Sequence, residues 1–167
     1  MYIQNNGLAM GSPLSGILSE IFLQNLEEIY MENIIQKYNI KSYIIYVDDT
    51  LLIFDENSSN TENDILNDLN KIHKNIHYTM EKEENNKINF LDITIIKSND
   101  KLTYNIYRKQ TTTDNIIHKT SNHPNQHKYA YFMTAINRLL TTPMNINKKQ
   151  IEINILKTLA RNNGYDE

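Results

Sequence analysis

Two adjacent carboxylates, Asp48 and Asp49, lie between two apolar runs in the stretch YIIYVDDTLLIF. The runs Tyr43–Val47 and Leu51–Phe54 are rich in β-branched and aromatic residues, which favour strands, and the pair between them predicts a tight hairpin turn. Like charges at this spacing repel, and Mg²⁺ relieves the repulsion because it binds carboxylate and phosphate oxygens. The stretch by itself leaves open a metal site at a strand tip. A solvated surface turn is the alternative, since Asp is a common turn former.

A glycine-bearing loop precedes a predicted helix near the N-terminus, in the stretch GLAMGSPLSGILSEIFLQNLE. Gly7 and Gly11 allow backbone conformations that a side chain would block, and Ser12 followed by Pro13 is typical of a helix start. The helix is expected to run to about Tyr38 with one apolar face, formed by Leu14, Ile17, Leu18, Ile21, Phe22, Leu26 and Ile29. From the residues alone, this pattern indicates a capped helix start.

The remaining elements follow from the spacing of apolar residues and from turn residues. They are a helix over Thr61–Ile76, strands over Ile88–Ile96 and Leu102–Tyr107 around a turn at 98–100, and helices over Gln126–Leu140 and Lys148–Asn162. This order predicts an α+β fold that ends in a helix-turn-helix-like pair.

Composition bounds the class of protein. The 167 residues are 40% hydrophobic, which is enough for a core. The sequence has no cysteine, which excludes disulfides and cysteine-based zinc sites. No apolar run approaches the roughly 20 residues of a membrane span, and no targeting signal is visible. We therefore expect an intracellular protein without a membrane or disulfide partner.

Charge is distributed unevenly along the chain. Residues 1–100 contain 7 Lys against 16 Asp and Glu, a net charge of −9, whereas residues 101–167 contain 10 Lys and Arg against 4 Asp and Glu, a net charge of +6. An acidic part with the hairpin and a basic part beyond it suit a metal site beside a phosphate-binding surface. Chance unevenness is the alternative.

Five motifs occur in one order along nearly the whole chain. They are GLAMGSPLS at Gly7–Ser15, YVDDT at Tyr46–Thr50, FLD at Phe90–Asp92, YRKQTTTD at Tyr107–Asp114 and SNHP at Ser121–Pro124. This series resembles the reverse transcriptases of Penelope-like retroelements. The resemblance implies that residues 1–109 are part of a polymerase palm, with a helix, the Asp-Asp hairpin, a helix and a second hairpin. Residues 110–167 would then form a helical thumb.

The resemblance also implies roles for single residues. Asp48 and Asp49 would be catalytic metal ligands for two Mg²⁺ or Mn²⁺ ions. Lys82 would protonate the pyrophosphate leaving group, with a solvated loop as the alternative. The template and nucleotide would contact Gly7, Met10, Gly11, Ser12 and Pro13, and the nucleic-acid backbone would contact Arg108, Lys109, Lys119 and Lys128. The expected partners are an RNA template, a DNA primer or RNA–DNA duplex, and a dNTP.

Polymerases of this family take a further aspartate from an earlier strand, and only six residues precede Gly7. We therefore expect a fragment of a longer RNA-directed DNA polymerase, or a decayed copy, that is inactive alone and belongs to the nucleus. The loss of that strand would leave an unpaired sheet edge and an uncovered helix face. The alternatives are a nucleic-acid-binding module without catalysis and a remnant with no partner.

Overall fold

The computed structural model describes residues 7–9, 11–55, 61–99, 101–109, 111–113 and 115–166. These residues form four helices and two small antiparallel sheets, so the predicted α+β class is confirmed. The chain divides into two compact units, Met1–Met80 and Glu81–Glu167. The division groups the second sheet with the C-terminal helices, whereas the sequence suggested a boundary after residue 109.

The first unit begins with α1 (Pro13–Lys37) and continues into a β-hairpin of β1 (Ile40–Tyr46) and β2 (Asp49–Phe54). Pro13 occupies the first helical turn, where its missing N–H removes no hydrogen bond. Tyr46 pairs with Asp49, so the loop of the hairpin is Val47–Asp48. The predicted Asp-Asp turn is therefore wrong by one residue, because Asp49 already belongs to the ladder.

The core of the first unit forms at the C-terminal end of α1 and is built from Met31, Ile34, Ile40, Ile65 and Leu69. Most of the predicted apolar face of α1 lies outside it: Leu14, Ile17, Leu18, Ile21, Phe22 and Ile29 are exposed. The apolar spacing predicted the helix correctly. Which of its turns are buried depends on where the hairpin and the next helix pack.

The second helix, α2 (Thr61–Leu69), is shorter than the predicted span to Ile76. The Oδ1 atom of Asn70 accepts a hydrogen bond from the backbone N–H of Tyr78 at 2.7 Å, and its Nδ2 donates to the Tyr78 carbonyl at 3.2 Å. These two bonds fasten an irregular segment beside the helix end. The prediction of a longer helix was wrong because residues 72 and 76 continue the apolar period without continuing the helix.

In the second unit, a three-stranded sheet replaces the single hairpin that was predicted. Its strands β3 (Lys87–Phe90), β4 (Ile93–Ser98) and β5 (Lys101–Ile106) pair in chain order. The predicted strand Ile88–Ile96 is itself a hairpin, because Phe90 pairs with Ile93 and leaves Leu91–Asp92 as the loop.

Two helices, α3 (Asn125–Thr141) and α4 (Ile146–Asn162), complete the second unit and lie within two residues of the predicted spans. Gly164 ends α4 with a φ of 76°, its N–H donates to the Arg161 carbonyl, and the Tyr165 N–H donates to the Ala160 carbonyl. This is the Schellman pattern that a glycine stop signal predicts.

The apolar spacing in the sequence predicts inward faces for these two helices that are partly wrong. The predicted faces are Tyr129, Phe132, Met133, Ile136, Leu139 and Leu140 on α3, and Ile151, Ile155, Leu156 and Leu159 on α4. The exposed residues include Tyr129, Met133, Ile136, Leu140 and Ile151. The buried residues of α3 and α4 are instead Ala135, Leu139, Glu152, Leu159 and Ala160. Among the described residues, no helix has both the length and the apolar character that crossing a bilayer requires.

Candidate metal site and nucleic-acid interface

The Asp48–Asp49 pair lies at the tip of the first hairpin. Asp48 is the second residue of the two-residue loop, Asp49 is the first residue of β2, and both are exposed. Val47, the first loop residue, is 72% exposed and has a φ of 55°. A two-residue hairpin loop favours glycine where φ is positive, and a β-branched residue there is strained.

The second sheet repeats this loop. Leu91 has a φ of 53° and is followed by Asp92, as Val47 is followed by Asp48. Both loops place an apolar residue in the left-handed region, directly before an aspartate. Neither carries the glycine or asparagine that marks such a turn in a sequence. For that reason the first loop was predicted one residue too late and the second was not predicted at all.

The two carboxylates at the tip of the first hairpin suit Mg²⁺ only together with further ligands. No group of three or more His, Cys, Asp or Glu side chains able to hold a metal occurs within the described ranges. Mg²⁺ commonly takes one or two carboxylates together with water and substrate phosphates. Asp48 and Asp49 therefore fit a site that a substrate completes, and not a closed site made by protein ligands.

The glycine loop closes onto the start of α1. Gly7 and Gly11 have φ values of 80° and 87°, and the Ser12 N–H and the Ser15 Oγ both donate to the carbonyl of Ala9, at 3.2 and 2.7 Å. A Cβ added at Gly11 would meet nothing within 4 Å, so its backbone conformation is the reason for glycine there.

Four of the predicted loop contacts are exposed, namely Gly7, Gly11, Ser12 and Pro13. Ser12 is the N-cap residue by position, but its side chain makes no capping hydrogen bond with the described residues. Met10 lies outside the described residues.

The proposed general acid, Lys82, lies in a segment of the second unit without regular secondary structure and is exposed. Directly after it, Glu84 and Lys87 form a tight turn around Asn85 and Asn86, which both have positive φ. Asp48 and Asp49 belong to the first unit.

Two of the four predicted backbone-contacting cations are held by carboxylates. The Arg108 guanidinium donates two hydrogen bonds to Glu152, at 2.7 and 2.5 Å. Lys119 donates to Asp166 at 2.5 Å, and this hydrogen bond raises the pKa of Lys119 and lowers that of Asp166. Lys109 is exposed and Lys128 is half-buried.

A tyrosine joins the neighbourhoods of Lys119 and Lys128. The Tyr165 hydroxyl donates to the carbonyls of Ile117, at 2.5 Å, and Lys128, at 3.2 Å. Its ring packs edge-on against Tyr129 and Phe132. The backbone on both sides of this basic region is therefore tied to the end of α4.

Sequence reasoning missed a second cationic residue beside Arg108. Arg138 on α3 lines the same pocket as Arg108, Lys109 and Glu152, with a volume of about 210 Å³. It follows the buried Ala135 by one helical turn, so it lies on the buried line of α3. The available signal in the sequence was Arg138, three residues after the small residue Ala135. Neither residue belongs to the apolar face that the spacing predicts for α3.

The chain was compared with family models, with curated proteins and with solved structures, and nothing matched.

Proposed function

We propose that this chain is part of an RNA-directed DNA polymerase of the Penelope-like type, with Asp48 and Asp49 as ligands of its divalent metal ions. The observation that carries the proposal is the placement of both carboxylates at the exposed tip of a two-stranded hairpin. The five ordered motifs support it, as does the left-handed glycine loop before α1.

Each part of the chain has a role in this proposal. The hairpin places two adjacent carboxylate groups beside open solvent, where a nucleotide and a primer end would have access. The Gly7–Ser15 loop carries two backbone positions without side chains, which permit close approach of a template base or an incoming nucleotide. When bound, Mg²⁺ would supply Lewis-acid stabilisation of the attacking and leaving oxygens. The basic second unit would hold the nucleic-acid backbone.

Metal binding at the tip is tested directly with Mn²⁺ and the purified chain. Nuclear magnetic resonance signals of the amides at 46–50 should broaden in the presence of Mn²⁺, and more strongly with a template–primer duplex and a dNTP. The double variant Asp48→Asn/Asp49→Asn should lose the broadening, whereas the matched variant Asp64→Asn on α2 should keep it. Equal broadening in the tip variant would contradict the metal assignment.

Polymerase activity is tested in the complete open reading frame that contains this chain. We expect primer extension on an RNA template with Mg²⁺ or Mn²⁺, and its loss on Asp48→Asn or Asp49→Asn. RNA-templated synthesis that survives both substitutions would refute the catalytic role.

A second candidate function is nucleic-acid binding without catalysis. The second unit, Glu81–Glu167, carries 13 Lys and Arg against 9 Asp and Glu, a net charge of +4. This function predicts an affinity for duplex that falls steeply with salt and does not change on Asp48→Asn. A full reading frame that binds duplex but extends no primer would favour it over the polymerase.

A further inference from the structure

The pocket beside Arg138 contains more positive charge than its own carboxylates neutralise. Among the described residues, three cations line it, Arg108, Lys109 and Arg138, together with two carboxylates, Asp92 and Glu152. The described lining therefore has a formal excess of one positive charge. The pairing of these groups determines which cation has the weakest carboxylate partner.

Arg108 has a close carboxylate partner. Both of its terminal nitrogens hydrogen-bond to the two oxygens of Glu152, whose side chain is only 10% exposed. This is the bidentate geometry in which a guanidinium and a carboxylate satisfy each other. Both oxygens of Glu152 therefore face Arg108.

Arg138 has a weaker carboxylate partner than Arg108 does. Its side chain is 25% exposed, and its Nη1 lies 3.3 Å from Asp92 Oδ2, beyond the usual range of about 2.7–2.9 Å for a charge-assisted bond. The Asp92 side chain is 74% exposed, so solvent screens this pair. The Arg138 Nε is buried and has no hydrogen-bond partner among the described residues. A mostly buried guanidinium with one weak partner is costly unless an anion joins it.

We propose that this pocket binds a phosphate group, with Arg138 and Lys109 as its ligands and the Arg108–Glu152 pair as a fixed wall. A guanidinium fork matches phosphate oxygens, and Lys109 adds a point charge beside it. At about 210 Å³ the pocket is smaller than the roughly 300–1,000 Å³ of a typical ligand site, so it suits one phosphate with part of its ester and not a whole nucleotide.

Two tyrosines extend the site beyond the phosphate. Tyr107 and Tyr131 line the same pocket, and aromatic rings are the surfaces on which sugars and bases of single strands pack. The phosphate is therefore expected to come from a polynucleotide, either at an internal position or at a 5′ end. This site lies in the second unit, and its assignment does not depend on metal binding by Asp48 and Asp49.

The test uses the full chain and three probes: inorganic phosphate, a thymidine hexamer with a 5′ phosphate and the same hexamer with a 5′ hydroxyl. Titrations followed by nuclear magnetic resonance should shift the amides of 91–92, 107–109 and 135–138. The variant Arg138→Gln should weaken binding by at least about tenfold, because it removes a charge-assisted contact. Arg161→Gln removes the same charge from the end of α4 and should weaken it less than threefold.

Two more variants guard against a folding artefact. Arg138→Lys keeps the charge but loses the fork, and should retain weaker phosphate binding. Lys109→Gln changes an exposed residue and should weaken binding several-fold without affecting the fold. Equal losses for Arg138→Gln and Arg161→Gln, shifts that map elsewhere, or acetate binding as tightly as phosphate would overturn the assignment.

The three probes identify the source of the phosphate. Preference for the 5′-phosphorylated hexamer would identify a terminal phosphate, and equal binding of both hexamers an internal one. Binding of inorganic phosphate alone would support the pocket but assign it to a small phosphorylated molecule.

Discussion

Arg108 and Glu152 are 44 residues apart in the chain and face each other through two parallel hydrogen bonds of 2.7 and 2.5 Å. The pair joins the segment after β5 to the first half of α4. Glu152 is among the buried charged residues, and a buried carboxylate requires such a partner. The pair therefore fixes how the three-stranded sheet and the C-terminal helices meet within the second unit.

Breaking this pair should destabilise the second unit. Glu152→Ala leaves Arg108 without its bidentate partner, and we expect a loss of about 2–3 kcal/mol in the free energy of unfolding. This is the lower part of the range for buried pairs, because the Arg108 side chain is 33% exposed. Urea unfolding followed by circular dichroism measures it. The double variant Arg108→Met/Glu152→Met should recover most of the loss, and a double variant as unstable as the single one would contradict the explanation.

The glycine that ends α4 should not tolerate alanine. Gly164 has a φ of 76°, and an added Cβ would lie 2.8 Å from His118 Nε2. We expect Gly164→Ala to cost about 1–2 kcal/mol in thermal or urea unfolding, mainly through the left-handed backbone.

Gly16 is the matched control for that substitution. It lies inside α1, and a Cβ there would meet nothing within 4 Å, so Gly16→Ala should stabilise the protein by about 0.5–1 kcal/mol. Adding His118→Ala to Gly164→Ala should relieve the contact but not the backbone cost. Full recovery in that double variant would show that the contact, and not the φ angle, dominates.

The stability of the first unit should depend on pH through Asp68. Hydrogen bonds from Lys37, Lys71 and Tyr38, in that order of effect, hold the pKa of the Asp68 carboxyl well below its usual range. Since the unfolded carboxyl titrates near about 3.9, the folded state gains stability above that pH and loses it as the pH falls toward the folded pKa.

The matching variant is Asp68→Asn. It should be less stable than the natural chain at pH 7, and the difference should shrink as the pH falls below about 4. Urea unfolding at pH 3, 5 and 7 measures this. Asp64→Asn, an exposed aspartate on the same helix, should change stability by less than about 0.5 kcal/mol. A difference for Asp68→Asn that stays constant with pH would rule out the linkage.

Relief of strain at the hairpin tip should be measurable. Val47 adopts a φ of 55°, which costs a β-branched residue about 1–2 kcal/mol. Val47→Gly should therefore protect the amides of β1 and β2 more strongly against hydrogen exchange, by up to about 1 kcal/mol. Val47→Ala should increase the protection only slightly, because a positive φ is unfavourable for alanine as well. Leu91→Gly in the second hairpin should behave like Val47→Gly, and protection that falls in both would show that the loops are unstrained.

Local patterns in the sequence determined the presence of most helices and strands. Pro13, Pro143 and Gly164 lie at or near helix boundaries and act through the backbone of their immediate neighbours, so the sequence nearby is sufficient to predict them. The paired carboxylates were recognised for the same reason, although the loop was placed one residue too late. An apolar residue at positive φ gives no local signal.

The tertiary structure alone decided which faces are buried and which charges are paired. The apolar spacing of α1 before Met31 predicts a core face, yet most of that face is exposed, because burial depends on what packs there and not on the helical period. Asn70 accepts a hydrogen bond from Tyr78 at the end of α2. Glu152 pairs with Arg108 and not with Arg138. These partners are 8 and 44 residues apart, and no local pattern specifies a contact at such a distance. Arg138 has only the weaker partner Asp92 because Glu152 pairs with Arg108. The proposed phosphate pocket therefore depends on this long-range contact.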